Sequence, residues 1–193
     1  MLTEAEIREA ILAGIAIGRH RIGLVLNDLE TSIGTALLCQ TCAESGYTIY
    51  VYTPKQWIEQ MVANARREMV PFTINDVTPE MRRKMLHVVA MPSRPEYLTG
   101  IGFGLSSDVH RIVLTDMSRN TIIQPVELEN GSVENNSALR AAQFSSASAA
   151  FYMTDVDRLR AADGKGEFFI TVTGSRQNKF FRVKERFFRT LFG

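Results

Sequence analysis

Cysteine is scarce in this chain: two residues in 193, Cys39 and Cys42. Two thiols cannot build the framework of a disulfide scaffold, and a chain this long does not need one, since it can bury roughly 70% of the surface its unfolded form exposes. Histidine is scarcer than a zinc site wants. His20, His87 and His110 stand singly, far from one another and from the C-x-x-C pair, so a four-ligand site is not assembled by the spacing. Long apolar runs are missing too: no stretch of about 18 such residues occurs, which excludes a membrane-spanning helix and sets the expectation of no membrane partner. A charge excess of one sign is also absent. Twenty-two Lys and Arg stand against 21 Asp and Glu, so no global field selects a nucleic acid or an acidic surface.

What is present is ordinary globular material, 45% apolar and 22% charged, which excludes a disordered chain. The chain opens Met1-Leu2-Thr3-Glu4-Ala5-Glu6, with acidic charge where a secretory signal carries positive charge and then an apolar block. The expected location is therefore cytoplasmic, with Cys39 and Cys42 as buried, reduced thiols inside a helix over 31–44.

The pattern predicts one α/β (α+β) domain. It would hold a mixed sheet with helices packed on it, β and α alternating in the first half and hairpins in the second. Thr3 and Glu6 form a capping box before Ile7, Ala10, Ile11, Gly14 and Ile15, which recur at helical spacing to about Gly18. Residues 21–26 read as a short strand. Tyr47 to Thr53 is rich in β-branched and aromatic residues and reads as another. Pro54 starts a helix with Trp57, Met61 and Ala65 on one face, closed by Pro71. Thr78-Pro79-Glu80 starts a further helix running to Met85, and 86–91 is a buried strand or its continuation. The loop 92–107, with Gly100, Gly102 and Gly104, is the best candidate for an internal boundary within this single domain. Residues 111–116 and 121–128 form a hairpin candidate ended by Asn130-Gly131. Ser137 to Met153 reads as a small-residue helix. Residues 168–173 and 179–183 form a second hairpin, and a short helix runs to Phe192.

Two constellations carry chemistry. The first is acidic: Asp116 at a strand end, and Glu127 and Glu129 two apart on the next strand, hence on one face. Three carboxylates converging there would suit Mg²⁺, a hard cation that can activate water for phosphodiester attack. Residues 111–152 resemble the restriction-endonuclease-like nucleases, whose motif is an acidic residue followed by a strand bearing D/E-x-K and then a helix. The resemblance implies Asp116 and Glu127 as catalytic metal ligands. Glu129 stands where the family's lysine usually does, as a ligand or water-orienting base. The alternative is an acidic, solvated edge strand protected from aggregation.

The second constellation is basic. Residues 174–193 carry Arg176, Lys179, Arg182, Lys184, Arg186 and Arg189 against Glu185 alone, 6 − 1 = +5, while residues 1–173 carry 16 − 20 = −4. Phe180, Phe181, Phe187, Phe188 and Phe192 interleave with these cations. Such a segment suits a protein partner or self-association, phosphates and unpaired bases of a nucleic acid, or docking on its own core with the cations reaching outward.

Other signals are weaker. Residues 21–53 resemble the opening of P-loop ATPases, but no lysine stands between Gly34 and Thr35 and the first glycine is missing. His87 reads as a core histidine, and His110 has no nucleophile in a recognisable setting. With no complete catalytic signature, the sequence points first to a non-catalytic binding or assembly module acting through its basic aromatic terminus. A Mg²⁺-dependent nuclease is the alternative.

Overall fold

In a computed structural model of the chain, the described residues are 1–16, 24–27, 47–92, 109–133, 144–174 and 178–186. They form three α-helices and two antiparallel sheets, an α+β fold. The helices are α1 (Glu4–Ala16), α2 (Pro54–Arg67) and α3 (Met153–Ala162). The strands are β1 (Leu24–Asn27), β2 (Tyr47–Tyr52), β3 (Met85–Pro92), β4 (Val109–Thr115), β5 (Ile122–Ile123), β6 (Glu127–Val133), β7 (Phe144–Tyr152), β8 (Phe168–Gly174) and β9 (Asn178–Val183). The first sheet has the order β1-β2-β3-β7-β6, and the second β5-β4-β8-β9.

Local chemistry starts the helices as the sequence predicts. The Glu6 carboxylate accepts the Thr3 backbone N–H at 2.7 Å, and the Thr3 hydroxyl accepts that of Glu6 at 3.3 Å. Thr53 and Gln56 repeat the arrangement at α2, with Pro54 in the first turn, where its missing N–H costs nothing. Helix α2 ends at Arg67 rather than at Pro71, as Met69 turns into the left-handed region at φ 58°. Gly14 sets the approach of the two helices. A Cβ there would lie 2.8 Å from both the Glu59 carbonyl oxygen and Val62 Cβ, so only glycine lets α1 come this close.

The main core lies between the sheets. Ile49, Val51, Leu86, Val88, Ala149 and Phe151 of the first sheet pack with Ile112, Leu114, Phe168, Ile170, Val172 and Phe181 of the second, and Val156 and Leu159 of α3 join them. Residues from before and after 93–108 thus share one cluster. Each large side chain buried here contributes roughly 1.5–3 kcal/mol. On the other face of the first sheet, Tyr50, Tyr52 and Val89 meet Trp57 and Ala63 of α2. Ile58 and Val62 turn toward Ile7 and Ala10 of α1. The layers therefore run α1, α2, first sheet, second sheet.

Several expectations need correction. All the described strand pairs are antiparallel, where a mixed sheet was expected. Residues 144–152 of the predicted small-residue helix are strand β7, and a helix begins only at Met153. Alanine favours helix in isolation, but Ala147, Ala149 and Phe151 alternate into the core of a central strand, and burial outweighs propensity. Residues 78–83 form turns, not a helix, and 85–92 is strand. The first hairpin is shorter than expected. Only Leu114↔Ile123 and Thr115↔Ile122 pair, after which the chain leaves at Pro125 to join the other sheet as β6. Asn130-Gly131 lies inside β6 instead of ending it. The second hairpin is found as read, Phe168↔Val183 through Thr173↔Asn178. The predicted helix 31–44 with Cys39 and Cys42, the glycine cluster 100–104 and the terminal residues 187–193 lie outside the described residues.

Candidate functional site: a basic aromatic sheet face and a cleft

The three acidic residues read from the sequence are not on one hairpin. Asp116 follows β4 in the second sheet, whereas Glu127 and Glu129 belong to β6, at an edge of the first. Both Asp116 carboxylate oxygens are engaged locally. Oδ1 accepts the Asn120 N–H at 2.8 Å, and Oδ2 accepts the Thr121 N–H at 3.2 Å. Desolvation pushes its pKa up, but the hydrogen bonds from Thr121, Ser118 and Asn120 together outweigh it and hold the carboxyl below its ordinary value. Among the described residues no group of three or more His, Cys, Asp and Glu side chains could hold a metal ion.

What Asp116 does is shape a turn. Its carboxylate closes the chain over 116–121 as an Asx-type clamp, and Arg119 inside it sits at φ 62°. That conformation carries Arg119 back over the outer face of the second sheet. Its guanidinium carbon stands 4.0 Å from the Phe180 ring centroid and 5.4 Å from that of Phe169. The two rings meet edge to face at 6.3 Å. Phe169 is on β8 and Phe180 on β9, brought together by the hairpin register.

The same face carries further cations. Arg111 on β4 lies in register with Thr173. Arg182, in register with Phe169, forms an ion pair with Glu167. Lys184 is half-buried just past β9, and Arg186 is exposed. Lys179 has the inward parity of Phe181 and is half-buried at the strand's start. Glu185 pairs with Arg160 of α3 at 2.8 Å, which ties the end of this segment to the body of the fold. Arg176 and Arg189 lie outside the described residues. Phe181 is core, as the docking alternative foresaw, while Phe180 is 41% exposed under Arg119. Arg119, Phe169 and Arg111 escaped the sequence reading because they are far from the terminal charge run. Only the register of β4, β8 and β9 places them beside it.

A second feature lies on the α2 side of the first sheet. Tyr52, His87, Ala150 and Glu127 form one register row across β2, β3, β7 and β6, so their side chains share a face. Large groups stand on β2 and β3 and small ones, Ser148 and Ala150, on β7. The surface therefore dips over β7, leaving a cleft of about 370 Å³ lined by Trp57, Thr78, Glu80, Met81, Met85, His87, Glu127 and the β7 residues. The His87 ring stacks on Trp57 at 4.5 Å with the planes 6° apart, and Trp57 meets Tyr52 at 5.5 Å. Burial pushes the His87 pKa down to about 4, so the imidazole is neutral near pH 7. Burial, with the charge of Tyr50 adding to it, pushes the Tyr52 phenol up to about 12.

No family model matches the chain, and no curated protein or solved structure does.

Proposed function

We propose that the chain is a non-catalytic binding module that holds an acidic protein segment on the outer face of its second sheet. The observation that carries this reading is the Arg119 guanidinium stacked on Phe180, on a face that also bears Arg111 and Arg182. A stacked guanidinium is held flat and keeps its N–H edge for a carboxylate, so little ordering is left to complete on binding. The stack also favours protein over nucleic acid, because the Phe180 face that a base would cover already carries Arg119. Among the described residues strand β9 is the edge of its sheet, so an incoming segment can pair with its backbone while the arginines read its charge. Complementary charge of this kind supplies specificity and association rate.

The test is a titration of a fluorescent, glutamate-rich peptide against an oligonucleotide of equal length, over a salt series. The expected result is a peptide affinity that falls with salt and is weakened about tenfold in Arg119→Ala, on the scale of one charged hydrogen bond. Equal binding by the variant, or a preference for the oligonucleotide, would overturn the proposal. Cleavage of the oligonucleotide with Mg²⁺ that disappears in Glu127→Ala would replace it with the nuclease reading. Solution mass measured alongside separates binding from self-association.

A further inference from the structure

We infer that the cleft above β7 is a second binding site, for a small protonated amine with an apolar body. Its volume of about 370 Å³ falls within the range of small-molecule pockets. Its lining divides in two. Trp57, Met81, Met85 and Ala150 supply an apolar wall and floor. Glu80, Glu127, Thr78, Ser148 and His87 supply the polar groups.

The polar set selects charge. Glu80 and Glu127 both line the cleft, and no lysine or arginine does. Arg83 acts on the Glu80 carboxyl, whose own backbone and Thr78 also hydrogen-bond it, but Arg83 is not part of the lining. Among the described residues, Glu127 has no ion-pair partner, and neither ring nitrogen of His87 has a hydrogen-bond partner. An ammonium group has three N–H donors and no acceptor, which fits a carboxylate, a hydroxyl oxygen and a neutral imidazole nitrogen. An anion would meet two carboxylates and find no lysine or arginine among the residues that line the cleft. A neutral apolar molecule would leave those acceptors without a donor.

The register fixes the scale. His87 and Glu127 flank Ala150 from the strands on either side, so their Cα atoms stand roughly 10 Å apart, two inter-strand spacings. A molecule lying on Ala150 can reach both. This site is on the opposite side of the first sheet from the second sheet, so it is independent of the basic face.

Trp57 is the only tryptophan in the chain, so its fluorescence reports this cleft alone. The experiment titrates phenethylamine and its uncharged counterpart, phenethyl alcohol, into the full chain at neutral pH. A saturable change with the amine, at least about tenfold tighter than with the alcohol and lost in Glu127→Gln, is expected. Glu127 is exposed, so an unchanged unfolding curve for the variant shows that the fold persists. Equal affinity for the alcohol, no saturable response to the amine at millimolar concentration, or undiminished amine binding in Glu127→Gln would each overturn the inference.

Discussion

Replacing His87 with phenylalanine removes an imidazole that burial holds neutral, and the consequence is a change in how stability depends on pH. In the folded chain the His87 pKa is pushed from 6.5 down to about 4. The unfolded chain therefore takes up a proton that the folded chain refuses throughout the interval between those values. Stability falls as pH drops through that interval and is recovered as pH rises above 6.5. The full shift corresponds to about 3 kcal/mol at 1.36 kcal/mol per unit, of which about 2 kcal/mol is lost between about pH 7 and pH 5. The lowered carboxyls of Glu6, Asp76, Glu80 and Asp116 lose their contribution only at lower pH. Glu59, which burial raises, works in the opposite sense and is common to both proteins. Urea unfolding followed by circular dichroism at several pH values, wild type against His87→Phe, isolates the imidazole. Phenylalanine keeps an aromatic ring against Trp57. The wild type is expected to lose about 2 kcal/mol more than the variant over this interval. Parallel profiles, or an imidazole NMR titration centred near 6.5, would refute the assignment of burial as the cause.

Other substitutions probe the layers separately. Gly14→Ala should destabilise the chain by about 1–3 kcal/mol, because its Cβ meets backbone and Val62 with no room to yield; thermal unfolding checks it. Thr171→Val should raise stability by about 1 kcal/mol, since the Thr171 hydroxyl is buried with no hydrogen-bond partner and valine has nearly its shape; denaturant midpoints measure this. Asp116→Ala should lower affinity for the acidic peptide as Arg119→Ala does, because it releases the turn that aims Arg119, and a peptide titration of the two variants side by side shows it.

How far the sequence speaks depends on the range of the interaction. The capping box at Thr3, the helix start at Pro54 and the β8–β9 hairpin are local, and residues three or a few apart state them outright. Strand β7 is illegible because its Ala residues favour helix, and only packing between two sheets makes it a strand. The acidic residues looked like one site because residues 111–129 are contiguous. Nothing local announces that the chain changes sheets at Pro125, which puts Asp116 and Glu127 on different sheets. The basic terminus was visible as a charge run, but Arg119 and Phe169 enter the site through strand register alone. His87 has the apolar sequence setting of a core residue, and it does pack on Trp57. That it also walls a cleft follows from small residues on β7, the strand paired directly beside its own but some sixty residues away in sequence.

On the proposed reading, an acidic segment docks where Arg119 covers Phe180. Amide chemical-shift mapping with the glutamate-rich peptide tests it most directly. Perturbations concentrated on Asp116–Thr121, β8 and β9, and reversed by added salt, are predicted. Perturbations centred on α1, α2 or β6, with the β4–β5 turn unmoved, would contradict it.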